Sequence, residues 1–126
     1  AGAGGAIVLG AVAGVVCLWA VVSLKPMLGY DDSLDVFGVH GVGGIVGALG
    51  TAIVAAPSLG GFGVGEYTIA GQLMTQAKAV LVCIVLTSVV SLVALYVIKL
   101  LFGVRVSEQA EREGLDISTH GERAYN

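Results

Sequence analysis

The stretch AVLVCIVLTSVVSLVALYVI, residues 79–98, holds twenty residues and no charge. Crossing the hydrocarbon core of a bilayer takes about 20 apolar residues in a helix that rises 1.5 Å per residue, so this stretch is long enough to span. Two more uncharged stretches, residues 1–24 and 36–65, lie upstream of it. Lipid offers exposed backbone no hydrogen-bond partner, and a single segment satisfies its own N–H and C=O groups only as a helix. The three stretches together predict an all-α fold, a polytopic transmembrane helical bundle.

The rest of the composition points the same way. Hydrophobic residues make up 56% of the 126-residue chain and charged residues 12%, against roughly a quarter charged in an ordinary soluble domain. Four of the fifteen Asp, Glu, Lys and Arg residues fall between Lys25 and Asp35 and eight between Val104 and Asn126, leaving only Glu66, Lys78 and Lys99 elsewhere. This distribution divides the chain into a transmembrane region, residues 1–103, with helices at about 6–24, 35–56 and 75–102, and a polar tail, residues 104–126. Pro26 is expected to stop the first helix, because proline lacks an N–H and disfavours helix for the residue before it. Asp35 is expected to cap the second, its carboxylate accepting from free N–H groups of the first turn. Residues 1–6 carry no basic region, so the first stretch reads as a true span and not as a cleavable leader.

Basic residues favour the cytoplasmic side. Lys25, Lys99 and Arg105 flank one face, Arg112 and Arg123 follow in the tail, and only Lys78 stands on the other. The first loop and the tail are therefore expected in the cytoplasm of a cell membrane, and the glycine-rich loop with Glu66 outside.

Glycine in a helix interior costs up to ~1 kcal/mol relative to alanine, and these helices are full of it. The pairs Gly10/Gly14 and Gly43/Gly47, with Gly38, Gly41, Gly44 and Gly50, form notches that let neighbouring backbones approach and gain dispersion contacts. Three helices supply too few neighbours for so many notches, so the chain reads as part of a larger bundle.

His40 is the one titratable side chain well inside an apolar stretch, and an ionisable group there faces protein or a water path in most membrane proteins. Val36 lies four residues earlier on the same helix face, with Gly43, Gly44 and Gly47 following. Such a narrow apolar face with one imidazole suits a conduit for a small neutral molecule better than a site for a hydrated ion. Two other readings stand beside it: a histidine that only hydrogen-bonds a neighbouring helix in a structural role, and an axial haem ligand in a small membrane assembly subunit. Asp31, Asp32 and Asp35 read as a cap and loop acids, Glu66 and His120 as solvated. Cys17 and Cys83 lack metal-ligand spacing and read as small core residues. No catalytic triad, phosphate-binding glycine loop or Cys/His metal motif occurs, so neither an enzyme nor a cofactor is expected. The absence of a basic stripe argues against nucleic acid.

The run Asp35-Val-Phe-Gly-Val-His-Gly-Val-Gly-Gly-Ile-Val-Gly47, with the tail run Glu113-Gly-Leu-Asp-Ile-Ser-Thr-His-Gly-Glu-Arg-Ala-Tyr125, resembles the ammonium transporter (Amt/Rh) family in its microbial branch. The resemblance covers essentially the whole chain. It implies the ninth, tenth and eleventh helices of an eleven-helix protomer, whose first eight helices are the missing partners of this segment. It also implies that His40 is the second of two paired pore histidines and Val36 a pore-wall residue one turn away. Ammonium, stripped of its proton, would then cross as ammonia past His40. The resemblance further implies a homotrimer and a regulatory tail in which Gly114, Leu115, Asp116, His120, Gly121 and Tyr125 take part. That tail would pack under a neighbouring subunit and meet a PII-type signalling protein.

Overall fold

The computed structural model describes residues 1–123, and its long helices fall on the apolar stretches. Helix α1 runs Ala3–Leu28, α2 Phe37–Val54 and α3 Ile69–Leu101, and each is long and apolar enough to cross a membrane. A short polar helix, α4, covers Glu108–Glu113. No strand occurs among the described residues. The chain divides into two units, Ala1–Val85 and Leu86–Asn126.

In the first unit α1 and α2 form an antiparallel pair whose register is written in glycine. A Cβ placed on Gly5 would meet Val54, one on Gly50 would meet Leu9, one on Gly43 would stand 3.0 Å from Cys17 Sγ, and one on Gly38 would stand 2.9 Å from Val21 Cγ2. Each contact steps back along α2 as it advances along α1. The buried apolar side chains are all small: Ala20 and Ala52 are fully enclosed and Ala56 nearly so. Close approach of backbones, not interlocking of large side chains, holds this pair together.

Both helices contain a π-wound segment, Ala20–Leu24 in α1 and Phe37–Val42 in α2, and the two meet where Gly38 rests on Ala20 and Val21. The wide turn in α2 has a geometric cause. In an α-helix of 3.6 residues per turn, five residues overshoot a full turn by about 140°, so Gly38 and Gly43 would not share a face. One extra residue in the turn brings both glycines onto α1.

Pro26 does not stop α1, which continues to Leu28 and ends at Gly29 with φ 64°. The π-wound turn immediately before Pro26 widens the helix where the ring would otherwise crowd the preceding carbonyl, and it absorbs the missing donor.

After α2 the chain makes a single 3₁₀ turn, Pro57–Leu59, and folds back over the end of the helix. Gly61 and Gly63 N–H groups donate to Ala56 and Ala55 carbonyls, both at close to 3.0 Å. The Tyr67 phenol donates to the Ala52 carbonyl at 2.6 Å. Helix α3 opens at Ile69, earlier than the glycine-rich composition suggests. Thr68 caps it, its hydroxyl accepting from Gly71 N at 3.2 Å and its carbonyl from Gln72 N at 3.0 Å.

In the second unit, the end of α3 passes through Gly103, φ 79°, to Ser107. The Ser107 hydroxyl accepts from Ala110 N at 3.3 Å and caps α4, which ends at Gly114.

Candidate functional site: the free face of α2

Helix α2 begins at a junction of charges. The carboxylate of Asp32 accepts from Val36 N at 2.9 Å and from Phe37 N at 2.8 Å. The side chain that caps α2 is therefore Asp32 and not Asp35, as the sequence pattern suggests. Asp35 adopts a left-handed backbone, φ 55°, which turns its carboxylate away from the first-turn N–H groups. Its carbonyl still accepts from Val39 N at 2.9 Å. Its carboxylate instead receives Lys25 Nζ at 2.6 Å, and the same ammonium donates to the Asp32 carbonyl. Tyr30 and Phe37 pack edge to face beside this junction, ring centroids 5.5 Å apart.

Val36 and His40 each lie two residues from Gly38, one on either side. Two residues along a helix point to nearly opposite sides, so with Gly38 buried on α1 both side chains face away from it. Val36 is 50% exposed and His40 is exposed. A Cβ placed on Gly44 or Gly47 would meet nothing within 4 Å, so both stay uncovered, whereas Gly43 turns to Cys17. The free face of α2 thus carries Val36, His40, Gly44 and Gly47, and the wide turn removes Gly43 from it. Cys17 also donates its thiol to the Val39 carbonyl at 3.7 Å, a contact the sequence does not disclose. Cys83 is exposed, a correction to its reading as a core residue.

Glycines Gly10 and Gly14 of α1 likewise meet nothing within 4 Å, and α3 buries no residue. These uncovered notches and apolar faces are what a segment of a larger helical bundle presents.

The tail residues lie together in the second unit. Gly114, φ 97°, ends α4, with Asp116 Oδ1 poised where a Cβ would stand 2.6 Å away. Asp116–His120 form a π-wound turn that closes at Gly121, φ 68°. Leu115 and Ile117 stay 49% and 42% exposed, and His120 is exposed. Tyr125 lies outside the described residues. Arg105 binds Glu111 with two contacts, 2.7 and 3.1 Å, and holds its carboxyl below the usual glutamate range.

Three membrane-length helices with uncovered small-residue faces define a multi-pass helical membrane protein. The Ammonium Transporter Family matches residues 2–125 of the chain, and the chain belongs to that family. It is 46% identical over 122 residues to an ammonium transporter of Aquifex aeolicus, with 97% of this chain and 29% of the relative covered. It is 38% identical to an ammonium transporter of Bacillus subtilis, covering 94% and 30%, and 36% identical to one of Archaeoglobus fulgidus, covering 96% and 31%. The chain therefore spans about three tenths of the length of these curated relatives and aligns with their carboxyl-terminal part.

Proposed function

We propose that this chain forms part of the conduit of an ammonium transporter, with Val36 and His40 lining the path. The observation that carries the reading is the placement of both residues two steps from Gly38, on the face of α2 that α1 leaves free. An apolar wall with one imidazole suits this cargo. Taking an unpaired ammonium ion out of water is very costly, while neutral ammonia passes apolar walls. An imidazole, whose ordinary pKa lies near neutrality, can take up or pass on the proton left behind.

Membership of the family supports ammonium as the substrate. The preponderance of Lys and Arg beside the first loop and in the tail supports a cytoplasmic carboxyl end in a cell membrane. The uncovered glycines support packing against the preceding helices of the same transporter, and membership of the family supports assembly as a homotrimer. The exposed Leu115 and Ile117 support a tail that docks on a neighbouring subunit or a PII-type regulator.

The test is His40→Ala in a full-length transporter that carries this segment. Altered methylammonium uptake or altered selectivity is expected. Wild-type transport and selectivity in that variant would remove the basis of the reading.

A further inference from the structure

The junction at the start of α2 does more than end a loop. Lys25 lies in the last turn of α1, Asp32 caps α2, and Asp35 joins them. Lys25 Nζ reaches Asp35 Oδ1 at 2.6 Å, with the side chains 28% and 34% exposed, and it also donates to the Asp32 carbonyl. The Asp32 carboxylate in turn holds the N–H groups of Val36 and Phe37. One ammonium therefore fixes both the residue that caps the wide turn and the residue that starts it. Val36 follows Asp35 directly, and His40 sits one turn later, inside the π-wound segment.

A π-wound turn is rare and is frequently found at functional sites. Its first N–H groups need partners outside the helix, and here Asp32 supplies two of them. Rewinding the turn to α geometry would shift residues before it by one position, about 100° of rotation. With Gly43 held on Cys17, Gly38 would then leave Val21, and Val36 would turn with it off the free face. The only charged tether from α1 to this turn, among the described residues, is Lys25.

We propose that the Lys25–Asp35 ion pair is a positioning device for conduction: it locks the wide first turn of α2 and so keeps Val36 and His40 turned to the free face, away from α1. This rests on the reading of that face as the pore wall. Lys25 and Asp35 touch no substrate; they act through the backbone of α2. Nearby Tyr30 contributes its ring against Phe37.

The experiment compares Lys25→Met, Asp35→Asn, the double variant, Lys25→Arg and His40→Ala in the full-length transporter reconstituted in proteoliposomes. Methylammonium uptake is measured per assembled transporter, with KM and maximal rate separated. Asn also tolerates a left-handed backbone, so Asp35→Asn removes the charge and leaves the turn's conformation accessible; it is read alone where Lys25→Met does not assemble. The expected result is a maximal rate reduced roughly three- to ten-fold in either single variant and no further in the double, as for coupled neighbours. KM should stay unchanged and Lys25→Arg should restore the rate. Wild-type rates per transporter in Asp35→Asn, alongside a changed rate in His40→Ala, overturn the proposal and leave the pore reading intact. An unaltered rate in His40→Ala overturns the pore reading and this proposal with it.

Discussion

Gly38 of α2 rests on Val21 of α1 so closely that a Cβ would stand 2.9 Å from Val21 Cγ2 and 3.4 Å from its backbone nitrogen. This contact fixes which way α2 faces. With Gly38 pinned inward, the residues two places before and after it, Val36 and His40, are sent outward together.

Replacing Gly38 with alanine should therefore destabilise the α1–α2 pair. Overpacking costs about 1–3 kcal/mol, which exceeds or offsets the ~1 kcal/mol that alanine gains in a helix interior. Gly44→Ala meets no atom within 4 Å and keeps only the propensity gain. Thermal unfolding of the purified chain in detergent, followed by circular dichroism, should show a lower midpoint for Gly38→Ala and an equal or higher one for Gly44→Ala.

The capping role of Asp32 leads to a second expectation. Asp32→Ala strips both acceptors from Val36 and Phe37 N–H and should cost about 1 kcal/mol, the usual loss of a cap. Amide hydrogen exchange over residues 36–42 reads it directly. Faster exchange at Val36 and Phe37 is expected in Asp32→Ala, and unchanged protection there would contradict the assignment of the cap.

The tail gives a pH dependence with a defined sign. Arg105 hydrogen-bonds Glu111 and lowers its pKa when folded. The contribution of that pair is thus complete above the unfolded glutamate value of about 4.3 and is lost as pH falls through the lower folded value. Both groups lie near the surface, so the effect is small and screened by salt. Acidification below about pH 4 should loosen α4, seen as falling amide protection over Glu108–Glu113, and Glu111→Gln should reduce the pH dependence of that protection, the rest coming from Glu108, which pairs with Arg112.

The membrane-spanning character of the chain is legible in its uncharged stretches because hydropathy depends on composition alone. The free face of α2 is legible in part: Val36 and His40 at a four-residue spacing share a side in either helical winding. Gly43 does not follow them, since a pattern read at a constant 3.6 residues per turn carries no sign of a wide turn. The cap was hidden for a related reason. Asp35 stands immediately before the apolar run and looks like the natural cap, yet the capping oxygens come from Asp32, three residues back. Only the left-handed turn at Asp35 brings them to the helix. Pro26 misleads in the same way, because its usual helix-breaking effect assumes an α-wound turn ahead of it.

The wide turn at Phe37–Val42 also decides which length changes this segment can absorb. Deleting one residue there would restore ordinary winding and leave Gly38 and Gly43 four residues apart, only about 40° from a common face, so Gly38 would stay on Val21 and Gly43 on Cys17. A surface loop adjusts to lost or gained residues at little cost. Here the winding of the helix itself would absorb the loss of one residue, whereas the same deletion in an ordinary α-turn would rotate one end of the seam by about 100°.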